Sequence, residues 1–343
     1  MLRSGEATFL EIDEAHQRLV QLASVMQNFG ADRNRISELV AAAPAQRVPA
    51  VTPRRLLHLS DLHLGTSRAA ETEVYVQTAL RAHLAAGDRI VVTGDLFDQP
   101  KRRHAQQYRN FAHQLRLLSG KAPVVVPGNH DQRIFGNAIF GIGKRLRQLA
   151  DLRWQEVVTD PEAQMAFFCF DSSRTGDLAR GSVDRVQLLK MATEYEVGNA
   201  DHALDGYLKV ALVHHHPYPY ISDKETPIID PRGWVGRESF IEFRNSDRFL
   251  AWCASRGVGL ILHGHKHIPR LIVDDILDET AEDHTYRQLT TVGCGSTLGA
   301  NGSYMSFNII EWEPGSGNWN AQFMIDRGDG GGFKSAVVQS QVV

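Results

Sequence analysis

The feature that most constrains the fold is an alternation of short apolar runs with amphipathic segments from residue 54 onward. Each of three apolar runs is followed by a segment whose apolar residues recur at helical spacing. The predicted strands lie at 56–59, 89–93 and 123–127, and the predicted helices lie at 71–86, 105–118 and 139–149. This alternation predicts a mostly parallel sheet with helices on its faces. Ligands of such sheets bind beyond the carboxyl ends of the strands.

The later part of the chain is richer in apolar runs of strand length, which predicts a second sheet. The predicted strands lie at 165–170, 208–213, 259–262, 271–273, 286–292, 305–312 and 319–325. A glycine-rich tail follows from Gly328, and we expect it to be disordered. The main domain is therefore predicted to span residues 54–327, with a tail at 328–343.

Residues 1–53 differ in pattern from the rest. Apolar residues spaced by three and four from Phe9 to Met26 predict a helix that ends at Gly30. Asp32 is expected to cap a second helix, and three prolines before residue 54 predict a linker. The sequence thus predicts a helical hairpin over residues 8–43. Its apolar seam either packs on the main domain or forms an interface with a partner protein or a second copy of the chain.

Charge and cysteine usage exclude several classes of protein. Lys and Arg total 37 against 40 Asp and Glu, so there is no overall basic field to attract extended nucleic acid. Cys169, Cys253 and Cys294 sit singly among apolar neighbours, as expected for buried thiols in a reducing compartment. The chain shows neither an apolar leader nor a run long enough to span a membrane. We therefore expect a cytoplasmic protein.

Five polar stretches stand where predicted strands end. In Asp61-Leu62-His63, alternate residues face alike, so a carboxylate and an imidazole lie on one side of the chain. Each stretch alone is also typical of a turn or a helix cap, but parallel strands bring all five to one rim. The other four stretches are GDLFD at 94–98, GNHD at 128–131, HHHP at 214–217 and HGHKH at 263–267.

The residue types in these stretches indicate a metal centre. Aspartate and imidazole ligands suit Mn, Fe, Zn or Co better than Ca or Mg. The five stretches contain no cysteine, which argues against a structural zinc site. Two cations that share a water make hydroxide at neutral pH, and they also hold a phosphoryl oxygen as its charge develops.

The motifs DLH, GDLFD, GNHD, HHHP and GHKH, in this order, resemble those of the calcineurin-like metallophosphoesterase superfamily over about residues 54–313. HHHP and TVGCGST at 291–297 are most similar to the class III cyclic-nucleotide phosphodiesterases. The resemblance implies a four-layer α/β/β/α sandwich of two mixed sheets. It also implies a hydrolase of small phosphodiesters or phosphomonoesters, cyclic nucleotides among them, that uses a metal-bridging hydroxide. A DNA or RNA nuclease of the same superfamily is the alternative.

The resemblance also implies roles for individual residues. Asp61, His63 and His267 would hold one metal ion, and Asp95 would bridge to the second. The second ion would be completed by Asn129, His214 and His265. His130 would supply a proton to the leaving group, with its imidazole oriented by Asp98.

Several neighbouring residues are harder to place. We choose His214 as the ligand of the HHHP run because it directly follows the strand. His216 faces the same way two residues on and is expected to contact the substrate phosphate, whereas His215 is expected to point elsewhere. Three further residues are expected to have supporting roles. Asp131 is expected in a turn or behind the ligands, His58 in the core, and His263 in a structural position or behind the ligands.

Two further stretches are candidates for specificity. The segment 217–247 carries aromatic rings and arginines that either close over a nucleobase and its phosphate or staple a surface loop. The basic run Lys101–His104 either steers anions or forms a solvated helix start.

Overall fold

The computed structural model of the chain describes residues 53–133, 155–175, 180–219, 243–281 and 285–342. The predicted hairpin at 8–43, the predicted helix at 139–149 and the segment 220–242 lie outside the described residues. The hairpin, its partner and the closing role of that segment therefore stay predictions.

The first sheet has six strands, in the order β14-β13-β12-β1-β2-β3. Its parallel part consists of β1 (Arg54–Leu59), β2 (Arg89–Thr93) and β3 (Val124–Val126). Antiparallel strands extend it from β1: β12 (Met305–Trp312), β13 (Trp319–Asp326) and β14 (Lys334–Ala336). The predicted parallel sheet is confirmed, but one half of the sheet is antiparallel.

The second sheet has seven strands, in the order β15-β10-β11-β9-β7-β5-β4. The strands are β4 (Val157–Asp160), β5 (Met165–Cys169), β7 (Leu208–Leu212), β9 (Leu260–His263), β10 (Arg270–Leu277), β11 (Tyr286–Gly293) and β15 (Ser340–Val342). In its centre β5, β7, β9 and β11 run parallel. A separate pair joins β6 (Gly181–Ser182) to β8 (Phe243–Arg244).

Helices cover the outer face of each sheet, while the inner faces pack on one another. In β1, Leu57 and Leu59 face a core with α1 (Ser67–His83) and α2 (Arg102–Ser119), whereas Leu56 faces the second sheet. Phe168 of β5 faces a core with α4 (Arg185–Gly198) and α5 (Ser246–Ala254). The short α3 is Asn129–Gln132. Strand alternation thus separates three cores and builds the predicted α/β/β/α sandwich.

Local signals explain where the helices begin and end. Thr66 caps α1 through a hydrogen bond from the Ala69 amide to its side chain, and Asp184 caps α4 through the Gln187 amide. Gly120 ends α2 in the left-handed conformation that glycine adopts most readily. Each fully buried Leu or Phe of the three cores contributes about 1.5–3 kcal/mol to the free energy of unfolding.

One expectation from the sequence is wrong. The tail, predicted to be disordered, supplies β14 and β15, because backbone pairing with β13 and β10 satisfies it despite its glycines.

Two aromatic residues of the segment 217–247 lie in the core of the second sheet. They are Tyr218 and Phe243, and the Tyr218 hydroxyl donates to Asp274 at 2.7 Å.

The state of the three cysteines agrees with the sequence. Cys169, Cys253 and Cys294 are free thiols and buried. Across the described part of the chain, every helix is too short or too polar to cross a membrane.

Candidate metal centre

The ends of β1 and β2 continue as a paired ladder beyond the sheet, and this ladder aligns the first two motifs. The Asp61 amide donates to the Gly94 carbonyl at 3.1 Å, and the His63 amide donates to the Asp95 carbonyl at 2.9 Å. The side chains of Asp61, His63 and Asp95 are therefore held at fixed spacing, and all three are buried.

Asp95 lies at the middle of the cluster. Its Oδ2 is 3.6 Å from His63 Nε2 on one side and 3.4 Å from His214 Nε2 on the other. Asp61, His63 and His267 form one group whose ligand atoms lie within 4.8 Å of one another, and Asp61, Asp95 and His214 form another. The carboxylate of Asp95 is thus placed where one oxygen faces both halves of the site.

Each half brings nitrogen or oxygen ligand atoms close together. On the first side, His63 Nε2 and His267 Nε2 are 3.2 Å apart. On the second side, Asn129 Oδ1 lies 3.0 Å from His214 Nε2 and 3.1 Å from His265 Nδ1. Convergent imidazole nitrogens and carboxylate or amide oxygens are the donor set of a transition-metal site, so these residues fit a pair of cations.

Backbone strain is concentrated in the same residues. Five residues have φ between 45° and 78°, the left-handed region that residues other than glycine rarely adopt: Asp61, His63, Asp95, His265 and His267. Each such residue costs of order 1–3 kcal/mol, and such strain clusters at functional sites. The conformation turns consecutive polar side chains back toward one point beyond the strand ends.

The electrostatics of the cluster also suit cations. Burial opposes ionisation of Asp95, but His214 and His130 nevertheless lower its pKa well below the usual value. Burial lowers the pKa of His63 to about 3 and that of His265 well below normal, so both rings are neutral at pH 7. Although burial opposes it, Asp95 raises the pKa of His214 to about 9. A cation bound here would displace that proton.

His130 borders the cluster and faces a cavity. Its amide donates to Asp95 Oδ1 at 2.9 Å, and its ring meets that of His63 edge-on at 4.7 Å. Its Nδ1 lies 2.9 Å from the main-chain carbonyl of Asp98, while the Asp98 carboxylate is 4.0 Å away. A carbonyl only accepts, so Nδ1 carries the hydrogen in this contact. The expected orienting carboxylate is therefore replaced by a backbone oxygen.

The three consecutive histidines at 214–216 have different surroundings. His214 joins the cluster, and its Nδ1 is held 2.7 Å from the Thr93 carbonyl. His215 Nδ1 lies 2.8 Å from the Ser172 hydroxyl, and the His215 ring lies beside that of His265, with the ring centroids 4.4 Å apart. His216 is buried with its ring stacked on that of His265 at 5.7 Å, and it is absent from the described residues that line the cavity. The contact of His216 with the substrate phosphate stays a prediction.

The remaining motif residues support the turns. The Asp131 carboxylate accepts from the amides of Gly128 and Phe97 and so ties the third motif to the second. Burial, with the nearby Asp95, raises the pKa of Asp131 to about 8. His58 is buried, with Nε2 2.9 Å from the Thr93 hydroxyl. The buried His263 has its Nδ1 3.3 Å from the Gly264 carbonyl.

The cavity above the cluster has a volume of about 500 Å³. Besides five of the predicted metal ligands and His130, it is lined by Lys266, Ile268, Asn301, Gly302 and Ser303, which the sequence did not single out. The sequence contains one indication of this additional lining, since Lys266 stands between two predicted ligands. The basic run at Lys101–Arg103 is exposed at the start of α2 and is absent from this lining, while His104 is buried against Gly65.

Close packing makes Gly264 a sensitive test of the geometry. A Cβ there would lie 1.9 Å from Ser60 Oγ and 2.4 Å from Asp61 Oδ2. We expect Gly264→Ala to displace Asp61 and lower metal affinity at least about tenfold. Gly259→Ala, whose Cβ would meet nothing within 4 Å, is the matched control. Metal titration by calorimetry compares the two, and equal affinities would contradict the described packing.

Comparisons with known proteins give a consistent result. A model of the calcineurin-like phosphoesterase family matches residues 54–269. No curated protein sequence matches the chain.

Three solved structures are similar to this chain. A metallophosphoesterase from Sphaerobacter thermophilus is 14% identical, with 80% of this chain and 89% of that chain covered and a TM-score of 0.33. A 5'-nucleotidase precursor from Thermus thermophilus is 13% identical, with coverages of 80% and 54% and a TM-score of 0.41. The structure of PhoD is 10% identical, with coverages of 84% and 72% and a TM-score of 0.47.

Proposed function

The chain belongs to the calcineurin-like phosphoesterase family, whose members hydrolyse phosphoric esters, and from this premise we propose that it is a dinuclear metal-dependent hydrolase of small phosphoesters. Cyclic nucleotides, other small diesters and monoesters are the candidate substrates. The observation that carries the proposal is the position of Asp95, whose Oδ2 faces a ligand of each half of the site at 3.6 and 3.4 Å.

The proposed ligands divide as the sequence predicted. Asp61, His63 and His267 would hold one cation, and Asn129, His214 and His265 would hold the other, with Asp95 shared between them. A mixed oxygen and nitrogen shell suits Mn, Fe or Zn. When bound, such a pair supplies a water of lowered pKa as nucleophile and stabilises charge on the phosphoryl oxygens.

The chain's own residues would do the rest of the chemistry. The Asp98 carbonyl orients His130 through Nδ1, and His130 lines the cavity. In its protonated form, His130 would donate the Nε2 proton to the departing alkoxide and return to the neutral ring with its hydrogen on Nδ1, a role that imidazole fills near neutral pH. The backbone of Asp98, rather than its carboxylate, is then the group that fixes the direction of proton transfer.

Two observations favour a small substrate. A cavity of about 500 Å³ is of the size that holds a small-molecule ligand. The chain carries 37 basic against 40 acidic residues, which does not favour tracking a duplex. Both observations support small esters over a nucleic-acid polymer, the alternative raised by the superfamily.

The test is a substrate panel with purified Mn²⁺-loaded protein. We expect turnover of small phosphoesters, with a rate that falls less than about threefold between low and physiological salt, since few phosphates are contacted. The panel includes monoesters, cyclic nucleotides, linear diesters, single-stranded DNA and duplex DNA. Steeply salt-dependent cleavage of DNA without turnover of any small ester would instead establish the nuclease.

A further inference from the structure

Three consecutive residues, His265, Lys266 and His267, all line the same cavity. In an extended chain, neighbouring side chains point to opposite sides, so such a run would not be expected. Here His265 has φ of 78° and His267 has φ of 57°, and these left-handed residues replace the usual alternation. The strained backbone thus places a lysine between the two predicted ligands, one from each half of the site.

The rest of the added lining is uncharged and firmly held. It consists of Ile268 and the turn at 300–303. The Ala300 amide donates to Ser296 Oγ at 2.8 Å, and this hydroxyl donates to the Asp61 carbonyl at 2.7 Å. The wall of the cavity is therefore tied directly to a predicted ligand. Among the described residues of the lining, histidines aside, Lys266 alone has a basic side chain.

We propose that Lys266 is a specificity-determining residue that makes the site favour a phosphoryl group with two negative charges, that is, a phosphomonoester over a phosphodiester. This inference rests on the proposed phosphoesterase function and narrows its substrate class. Lys266 lines the cavity beside the predicted ligands, so its charge would act on a phosphoryl group held there.

The charge of the substrate determines how strongly the Lys266 side chain attracts it. A monoester is a dianion at slightly alkaline pH, whereas a diester is a monoanion with an otherwise similar phosphoryl group. Coulomb energy is proportional to the product of the two charges. Loss of the Lys266 charge therefore removes about twice as much binding free energy from the dianion. The fold-decrease in affinity for the monoester should therefore be about the square of the fold-decrease for the diester.

The experiment compares p-nitrophenyl phosphate with methyl p-nitrophenyl phosphate, because the two esters share one leaving group. In the Mn²⁺-loaded full chain at pH 8, Lys266→Met should lower kcat/KM about tenfold for the monoester and about threefold for the diester. Lys266→Arg should retain most of the activity on both esters. The control is Lys190→Met on α4, which removes an exposed lysine outside the cavity lining and should change neither value.

A second measurement does not depend on turnover. Calorimetric titration with inorganic phosphate, a dianion at this pH, should show about tenfold weaker binding to Lys266→Met than to the unaltered protein. Equal fold-losses for the two esters, or unchanged phosphate affinity, would overturn the role of Lys266. If the unaltered protein hydrolysed neither these two esters nor any small ester of the substrate panel, the proposed function would fail, and the phosphate titration would still decide whether Lys266 binds an anion.

Discussion

Replacing Asp95 by Asn should empty both metal sites and lower kcat by at least about 10³-fold, because bound cations contribute several kcal/mol to transition-state stabilisation. Asn keeps the oxygen that accepts from the His130 amide at 2.9 Å, so the turn should survive. The substitution removes the negative charge that lies between the halves of the site. Without that charge, repulsion between two cations has no shared counter-ion to offset it.

Metal analysis after dialysis against Mn²⁺ tests this directly. The matched control is Asp98→Asn, which alters a neighbouring carboxylate that lies 4.0 Å from His130 and is 30% exposed. The control should keep both metal equivalents, as should the unaltered protein. Retention of two equivalents by the Asp95→Asn protein would show that Asp95 is not the bridge.

Most of the strands can be predicted from the sequence, for a physical reason. The run at Arg89–Thr93 coincides with the observed strand, because its central residues are buried on both faces and leave an uninterrupted apolar signal. The run at Met305–Trp312 coincides as well, although Ser306 and Asn308 interrupt its apolar residues. The short strand Lys334–Ala336 gives no such signal, since its residues are exposed or half-buried and backbone pairing alone holds it. Tyr218 likewise looks like a loop aromatic until the fold buries it.

The sequence predicts which residues of the candidate site come together. It does not predict which of their atoms face one another. Asp61 and Asn129 are far apart in sequence, yet both follow parallel strands and so reach one rim. The orientation of His130 by a carbonyl rather than by a carboxylate depends on a backbone conformation that no residue type encodes. The same holds for Lys266, whose direction depends on the left-handed conformation of its two neighbours.

Replacing His130 by Gln should leave metal content unchanged and slow hydrolysis of alkyl phosphoesters by about 10²–10⁴-fold. An alkoxide leaves poorly unless a proton reaches it, and the protonated His130 is the proposed donor. A p-nitrophenolate ion needs no proton, so the loss on p-nitrophenyl phosphate should be about threefold or less. Rates for the two classes of ester, measured on protein of known metal content, give the comparison.

The geometry adds a control that separates proton donation from metal binding. An imidazole nitrogen of His130 lies within 4.8 Å of the ligand atoms of His63 and Asp95, so this ring could instead hold a cation. A ligand role would make His130→Gln lose metal and slow both classes of ester equally. Because the Asp98 main-chain carbonyl orients the ring, Asp98→Asn should cost less than about tenfold on alkyl esters. A loss as large as that of His130→Gln would assign the orientation to the Asp98 carboxylate instead.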